Sequence, residues 1–158
     1  MSVGATAMSV IYLDNNATTR VDPRVLEAMW PWFSERYGNA SSRTHAYGWD
    51  AEEAVADARS QIAESIGASP KEIVFTSGAT ESNNLALKGV MRRNQQRGNH
   101  LVTVATEHKA VLDAVQALKT DGCEATILPV RDDGIVDLDV LQNALTERTV
   151  VVSIMHAN

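Results

Sequence analysis

The sequence has little that could form covalent cross-links or anchor the protein to a membrane. Its 158 residues include one cysteine, Cys123, which rules out a disulfide within the chain and favours a reducing compartment. The first residues, MSVGATAMSVIYL, lack the basic start and long apolar run of a signal peptide or membrane span. We therefore expect a soluble cytoplasmic protein with no membrane partner, in which residues 1–9 form a disordered extension.

A dense cluster of positive charge is also missing. The 14 Lys and Arg residues against 20 Asp and Glu give a net charge of −6, which disfavours nucleic acid as a partner. Neither GxGxxG nor GxxxxGK[ST] occurs, so dinucleotide and Walker-type nucleotide binding are disfavoured, and no metal site is predicted. A hydrophobic content of 44% nevertheless fits a globular domain with a real core.

Alternating strand and helix patterns dominate the chain. Asp22 and Pro23 begin a first helix that Pro31 should kink, and a longer helix is predicted from about residue 49 to 66, before Gly67. Strands are predicted at 72–76, 101–104, 125–128 and 149–155, with single helices between them. This order predicts an α/β fold with a largely parallel sheet. The run 150–152 indicates a strand buried on both faces.

Three polar segments follow predicted strands, where parallel sheets place their ligands. The first, 76–80, combines small residues, hydroxyls and a helix N-terminus, which together suit a phosphate. An ordinary capped turn uses the same residue types, so the two interpretations are equally weighted at this point. The second segment, 106–109, contains His108, and the third is His156–Asn158.

His108 has two interpretations. At a strand's carboxyl end it could stack on a planar ring or move protons, or it could simply bond locally at the start of a helix. The residue alone favours the local bond. Three polar strand ends meeting in one sheet favour a ligand site more than any one of them does.

Five motifs together carry a family resemblance. They are YLDNNATT at 12–19, GNASS at 38–42 with His45, TSGATESNN at 76–84, TEHKAV at 106–111 and SIMHAN at 153–158. In this order and spacing they resemble the cysteine desulfurases of the class V aminotransferase family, whose cofactor is pyridoxal 5′-phosphate. The loop at 38–42 departs slightly, because the family more often has proline where Ala40 stands.

The resemblance implies roles for the individual residues of these motifs. Ala79 and Thr80, with Gly78, would bind the cofactor phosphate, and His108 would stack on the pyridine ring and relay protons. Glu81, with Asn83, would cap and pack the helix behind the phosphate. The segments Asp14–Thr19 and 38–45 would line the cleft, although turn structure explains them equally well.

The resemblance also implies an architecture. It is the fold type I of pyridoxal phosphate enzymes, with a mostly parallel large-domain sheet flanked by helices, here truncated. Residues 10–45 would contribute to a small domain and the cleft, and residues 46–158 would begin the cofactor-binding large domain. A homodimer is expected for the full-length form.

The implied activity removes sulfur from L-cysteine and passes it, through a protein persulfide, to an acceptor or scaffold protein for iron–sulfur cluster assembly or thiolation. The family's covalent lysine and mobile cysteine have no match in the chain; Cys123 follows a turn and is interpreted as structural. Two alternatives stay open: an inactive fragment or binding module, and a related selenocysteine lyase. The lysines, none of which matches the family's lysine motif, are Lys71, Lys88, Lys109 and Lys119.

Overall fold

The computed structural model describes residues 10–157, which divide into two compact units after Val74. The first unit contains helices only: α1 (Pro23–Met29), α2 (Pro31–Ser34), α3 (Ala46–Ser65) and a 3₁₀ turn (Pro70–Glu72). The second contains α4 (Ala79–Arg93), β1 (His100–Val104), α5 (Lys109–Thr120), β2 (Glu124–Leu128), α6 (Leu138–Ala144) and β3 (Thr149–Val152).

The helices of the first unit lie close to where the sequence indicates, although α3 begins at Ala46, about three residues before its predicted start. Asp22 accepts a hydrogen bond from the Arg24 N–H at 2.8 Å, and α1 starts at the following Pro23. Pro31 interrupts the helix as predicted, since α1 stops at Met29 and α2 begins at the proline. The long helix α3 ends before Gly67, which has φ +67°.

The strand predicted at 72–76 is wrong. Ser69 and Glu72 form a capping box around the 3₁₀ turn, which takes Glu72 out of an extended conformation. The residues after it pair with no strand of the described sheet, and Val74 and Phe75 are 65% and 46% exposed. An apolar run of this kind forms a strand only where a neighbouring strand satisfies its backbone.

The second unit confirms the predicted α/β fold with a parallel sheet. Its strands lie in the order β2-β1-β3, and β1 is parallel to both neighbours. Apolar side chains on the two faces of β1 pack differently. Leu101 packs in one core cluster with residues of α4 and α5. Val102 and Val104 pack in another cluster with Leu128 and with partly buried residues such as Leu141 of α6. The sheet therefore lies between two helical layers.

Within the described sheet the strand buried on both faces is β1, not the predicted run 150–152. All five residues of β1 are buried, whereas β3 pairs on one side only and leaves Val152 47% exposed. β3 also ends at Val152, three residues earlier than predicted. At the amino end of β1 the buried His100 bridges the neighbouring strands, with its ring nitrogens 2.9 Å from the hydroxyls of Thr126 and Thr149.

The compact units divide after Val74, so α3 groups with the first unit, and the predicted domain boundary after residue 45 stays a prediction. The assignment of 46–158 to a larger cofactor-binding domain stays a prediction. Among residues 10–157 no helix is both long enough and apolar enough to cross a bilayer. The disordered extension predicted for 1–9 lies outside the described residues.

Candidate functional site

Two helix N-termini lie at the same end of the second unit. α4 packs against α5 and β3, and Arg92 near the end of α4 bonds to Asp121, the last cap of α5, at 3.2 Å. The two helices therefore run side by side in the same direction, with their first residues at the opposite end. Because α5 follows β1 directly, that end is the carboxyl edge of the parallel sheet, where ligands bind.

The turn before α4 is closed by a carboxylate. Glu81 Oε2 accepts hydrogen bonds from the Ser77 N–H at 2.7 Å and from the Ser77 hydroxyl at 2.6 Å. The hydrogen bond from the Ser77 hydroxyl is the larger cause, and that from the Ser77 N–H the smaller, of a pKa of Glu81 below its ordinary value. The carboxylate also lies at the positive end of the helix dipole, which stabilises its ionised form. Glu81 therefore ties Ser77 to the start of the helix and leaves the N–H groups of the first helical turn uncapped.

A hydroxyl pair closes the other side of the same turn. Thr76 Oγ1 lies 2.6 Å from Ser82 Oγ, and both hydroxyls lie within 3.3 Å of the Gly78 carbonyl oxygen. The Ser82 N–H donates to that same carbonyl at 3.1 Å. The backbone of Gly78 is thus fixed by its carbonyl. The hydroxyls of Thr76 and Ser77, predicted as possible phosphate donors, are instead engaged in local bonds.

What this bracing leaves open is the first turn of α4. Within residues 10–157 no side chain caps its N-terminus, and the N–H groups of Ala79 and Thr80 belong to the first helical turn, which has no acceptor of its own. A methyl group built on Gly78 would meet nothing within 4 Å, so the space over the turn is open. Exposed N–H donors, the Thr80 hydroxyl and small side chains at a helix N-terminus fit a phosphate group.

His108 begins the neighbouring helix. Its Nδ1 accepts a hydrogen bond from the Ala110 N–H at 3.1 Å, so it is the cap of α5. A neutral ring with Nδ1 as acceptor carries its proton on Nε2. The ring is exposed. The local bond that the residue alone favoured is therefore present, and it leaves the ring face and Nε2 available at the sheet's carboxyl edge.

The neighbours of His108 differ sharply in burial. Lys109 pairs with Asp113 at 2.6 Å on the exposed face of α5, which is an ordinary i,i+4 pair. Glu107 is 8% exposed, although it directly follows the turn after β1. Sequence reasoning missed this buried acid, and its place at the end of a buried strand was the available signal.

The remaining predicted segments lie in both units, and the third polar segment follows β3, which is parallel to β1 and so ends at the same carboxyl edge. His156 is exposed, three residues beyond Ser153, and Asn158 lies outside the described residues. Cys123 is half-buried against the core cluster beside β2, at the amino edge of the sheet. In the first unit, residues 14–19 form a turn in which the Ala17 N–H donates to the Asp14 carbonyl. The cleft role of that segment stays a prediction.

The loop at 38–45 is held tightly in the first unit. His45 caps α3 by accepting from the Gly48 N–H at 3.2 Å, and Asn39 Oδ1 accepts from the Ser41 N–H at 2.9 Å. A methyl group on Gly48 would collide with the Ser42 carbonyl. Turn structure is therefore present in this loop as well, as its content of Gly, Asn and Ser indicates.

Comparison with known proteins gives a consistent result. The family model described as aminotransferase class-V matches residues 11–158. A protein named cysteine desulfurase IscS, from Rickettsia massiliae (strain Mtu5), is 53% identical over 148 residues, which are 94% of this chain and 36% of that protein. The chain thus spans about a third of the length of the curated relatives it matches.

Solved structures agree in fold. One, of a NifS-like protein, has a TM-score of 0.85 and 44% identity, and the match covers 94% of this chain and 40% of that one. Another, of SspA in complex with cysteine, has a TM-score of 0.82 and 39% identity, covering 93% of this chain and 42% of that one. At these identities the likeness extends beyond the fold to the family.

Proposed function

The chain belongs to the class-V aminotransferase family, and on that premise we propose that the protein containing it is a cysteine desulfurase that uses pyridoxal 5′-phosphate. The observation that carries the proposal is the braced turn at 76–82. It presents the open N-terminus of α4 at the same sheet edge as His108.

In this proposal the phosphate is bound by the N–H groups of Ala79 and Thr80 and by the Thr80 hydroxyl. Gly78 contributes by having no side chain, which would let the phosphate approach the backbone of the turn closely. The helix dipole of α4 adds a favourable field for the negative charge. No cation is required at this turn, which fits the absence of Lys and Arg from residues 76–82.

His108 supplies the acid–base chemistry. When bound, pyridoxal phosphate acts as an electron sink for bonds at the substrate's α-carbon. His108 is proposed to stack on the cofactor ring while its cap bond to Ala110 fixes the ring's orientation. That bond also leaves Nε2 as the atom that holds or moves a proton.

The substrate is proposed to be L-cysteine, in line with the related structure of SspA in complex with cysteine. The carbon–sulfur bond is broken, alanine is released, and the sulfur forms a persulfide on a protein thiol before passing to an acceptor or scaffold protein. Cys123 is not proposed as that thiol, because it is half-buried against the core at the amino edge of the sheet.

The wider arrangement is proposed from the family alone. Residues 10–45 would belong to a small domain and the cleft, and residues 46–158 would begin the large domain that holds the cofactor. The complete protein would be a cytoplasmic homodimer that serves iron–sulfur cluster assembly or thiolation.

The experiment is a turnover assay on the complete natural protein loaded with pyridoxal phosphate. L-cysteine should give equal amounts of alanine and protein-bound or released sulfur. His108→Asn is the informative variant, since asparagine retains a helix cap and removes the ring. Turnover should fall by about 10²- to 10⁴-fold, as for loss of a general acid–base, while bound cofactor changes little.

Glu147→Gln is the matched control, because Glu147 is an exposed acid in the same unit that takes no part in the site. It should leave turnover unchanged. Consumption of L-selenocysteine without consumption of L-cysteine would show that the proposed substrate is wrong. Unchanged turnover in His108→Asn would show that the histidine has no acid–base role.

A further inference from the structure

We propose that Glu81 is a positioning residue that makes the 76–82 turn selective for a phosphate ester. The inference rests on the proposed function and adds a role for a side chain that would not touch the phosphate. Its basis is the pair of hydrogen bonds that Ser77 donates to the Glu81 carboxylate.

The contact between Glu81 and Ser77 fixes the turn at its start. One carboxylate oxygen takes both donors of Ser77, its N–H at 2.7 Å and its hydroxyl at 2.6 Å. Glu81 lies in the first turn of α4, so these two bonds tie the extended segment before the helix to the helix itself. The Thr76 and Ser82 hydroxyls hold the Gly78 carbonyl between those two points.

The charge of Glu81 decides which donors are left for a ligand. A carboxylate and a phosphate are both anions, so Glu81 cannot bind the phosphate and repels it where the two approach. Its bonds to Ser77 occupy the carboxylate oxygen Oε2 and remove the Ser77 N–H and hydroxyl from the available donors. A phosphate is thereby directed to Ala79 and Thr80, and the turn is held in the conformation that exposes them before the ligand arrives.

The protonation state of Glu81 supports the same role. The two hydrogen bonds lower the pKa of Glu81 from its ordinary value, 4.5, so the side chain is a carboxylate in neutral solution. It is exposed, so it can form this contact without desolvation of a buried charge. The brace is thus present throughout the neutral pH range.

The test compares two ligands that differ only in the phosphate. The apo form of the complete natural protein is titrated with pyridoxal 5′-phosphate and, separately, with pyridoxal, for wild type and for the variants Glu81→Ala, Glu81→Gln and Glu147→Gln. Absorbance of the bound aldehyde gives both dissociation constants, and catalysis is not involved. Thermal unfolding of each apo variant identifies any general loss of structure.

Glu81→Ala should weaken the binding of pyridoxal 5′-phosphate about tenfold, which is the equivalent of one lost hydrogen bond to a charged group. The affinity for pyridoxal should change less than about twofold. Glu81→Gln retains one acceptor for Ser77 and should lose about threefold for the phosphorylated ligand alone. Glu147→Gln should resemble wild type for both ligands.

Three results would overturn the inference. Tighter binding of the phosphorylated ligand by Glu81→Ala would mean that the carboxylate only competes with the phosphate. Equal losses for both ligands would mean that Glu81 supports the fold and not the turn. No loss for either ligand would mean that the brace is dispensable. If wild type itself binds pyridoxal as tightly as its phosphate ester, the proposed function fails first and the inference fails with it.

Discussion

The two units of the chain differ in the interactions that stabilise each of them internally. In the second unit the core contains large aliphatic side chains such as Leu101 and Leu118, at 1% and 2% exposure. In the first, the buried apolar residues among those described are two alanines, Ala51 and Ala63. Most of its large apolar side chains are exposed, for example Phe33 at 70%.

The first unit relies instead on polar and close backbone contacts. Arg36 pairs with Asp50 and lies 4.1 Å above the ring of Trp32, and Tyr37 stacks on Tyr47 with ring centres 5.6 Å apart. The difference teaches where precise geometry can be maintained. A packed core fixes the ends of α4 and α5, so the second unit is the part of the chain on which a ligand site can be preorganised.

The largest effect should come from the core of the second unit. Leu118→Ala should lower the free energy of unfolding of that unit by about 3 kcal/mol, because it removes a fully buried side chain and leaves a cavity. The exposed Val25→Ala in α1 should cost less than about 0.5 kcal/mol in the 158-residue chain. Denaturant titration, with hydrogen exchange to assign each transition to a unit, measures both. Equal costs would remove the distinction between the units.

A smaller but clear effect should come from the first unit's close backbone contact. In Gly48→Ala the added methyl group meets the Ser42 carbonyl, so the loop before α3 must shift at a cost of about 1–3 kcal/mol. Gly89→Ala, in α4 where a methyl group meets nothing within 4 Å, should stabilise its helix by about 0.5–1 kcal/mol. Destabilisation of the same size in both variants would contradict the contact.

The smallest effect concerns pH. The side-chain bond from Arg36 lowers the pKa of Asp50, and the bond from Arg24 lowers that of Asp22, both from an ordinary value of 3.8. A lowered pKa means that the stabilisation is complete above the ordinary value and is lost as pH falls below it. The protection factors of amide hydrogen exchange, which correct for the intrinsic pH dependence, should therefore fall in α1 and α3 below about pH 4 before they fall in β1. Earlier loss of protection in β1 would contradict this order.

Much of the fold could be predicted because local signals agree with it. Asp22–Pro23, Asp137 and the turn glycines Gly122 and Gly134 lie where the structure places helix caps or left-handed turns. The prediction of a strand at 72–76 was wrong because strand formation depends on a partner strand, which periodicity does not reveal. The same cause explains β3, whose β-branched run resembles a central strand but pairs on one side.

The phosphate role of the 76–80 turn stays a prediction, and its hydrogen bonds could not be read from the sequence. Small residues and hydroxyls there fit an anion turn and an ordinary capped turn equally well, and only the geometry shows that the Thr76 and Ser77 hydroxyls form local bonds. Glu81 illustrates the point. A place for Glu81 in the first turn of α4 follows from the sequence, whereas the capture of both Ser77 donors by one carboxylate oxygen does not follow from spacing.

The central claim is that the turn at 76–82 binds the phosphate of pyridoxal 5′-phosphate, and Gly78→Ala tests it most directly. The backbone of Gly78 is extended and a methyl group there meets nothing, so the apo protein should lose less than about 1 kcal/mol of stability. In the complete natural protein this variant should bind pyridoxal 5′-phosphate at least about tenfold more weakly than wild type and pyridoxal equally well. Unchanged affinity for the phosphate ester would contradict the account.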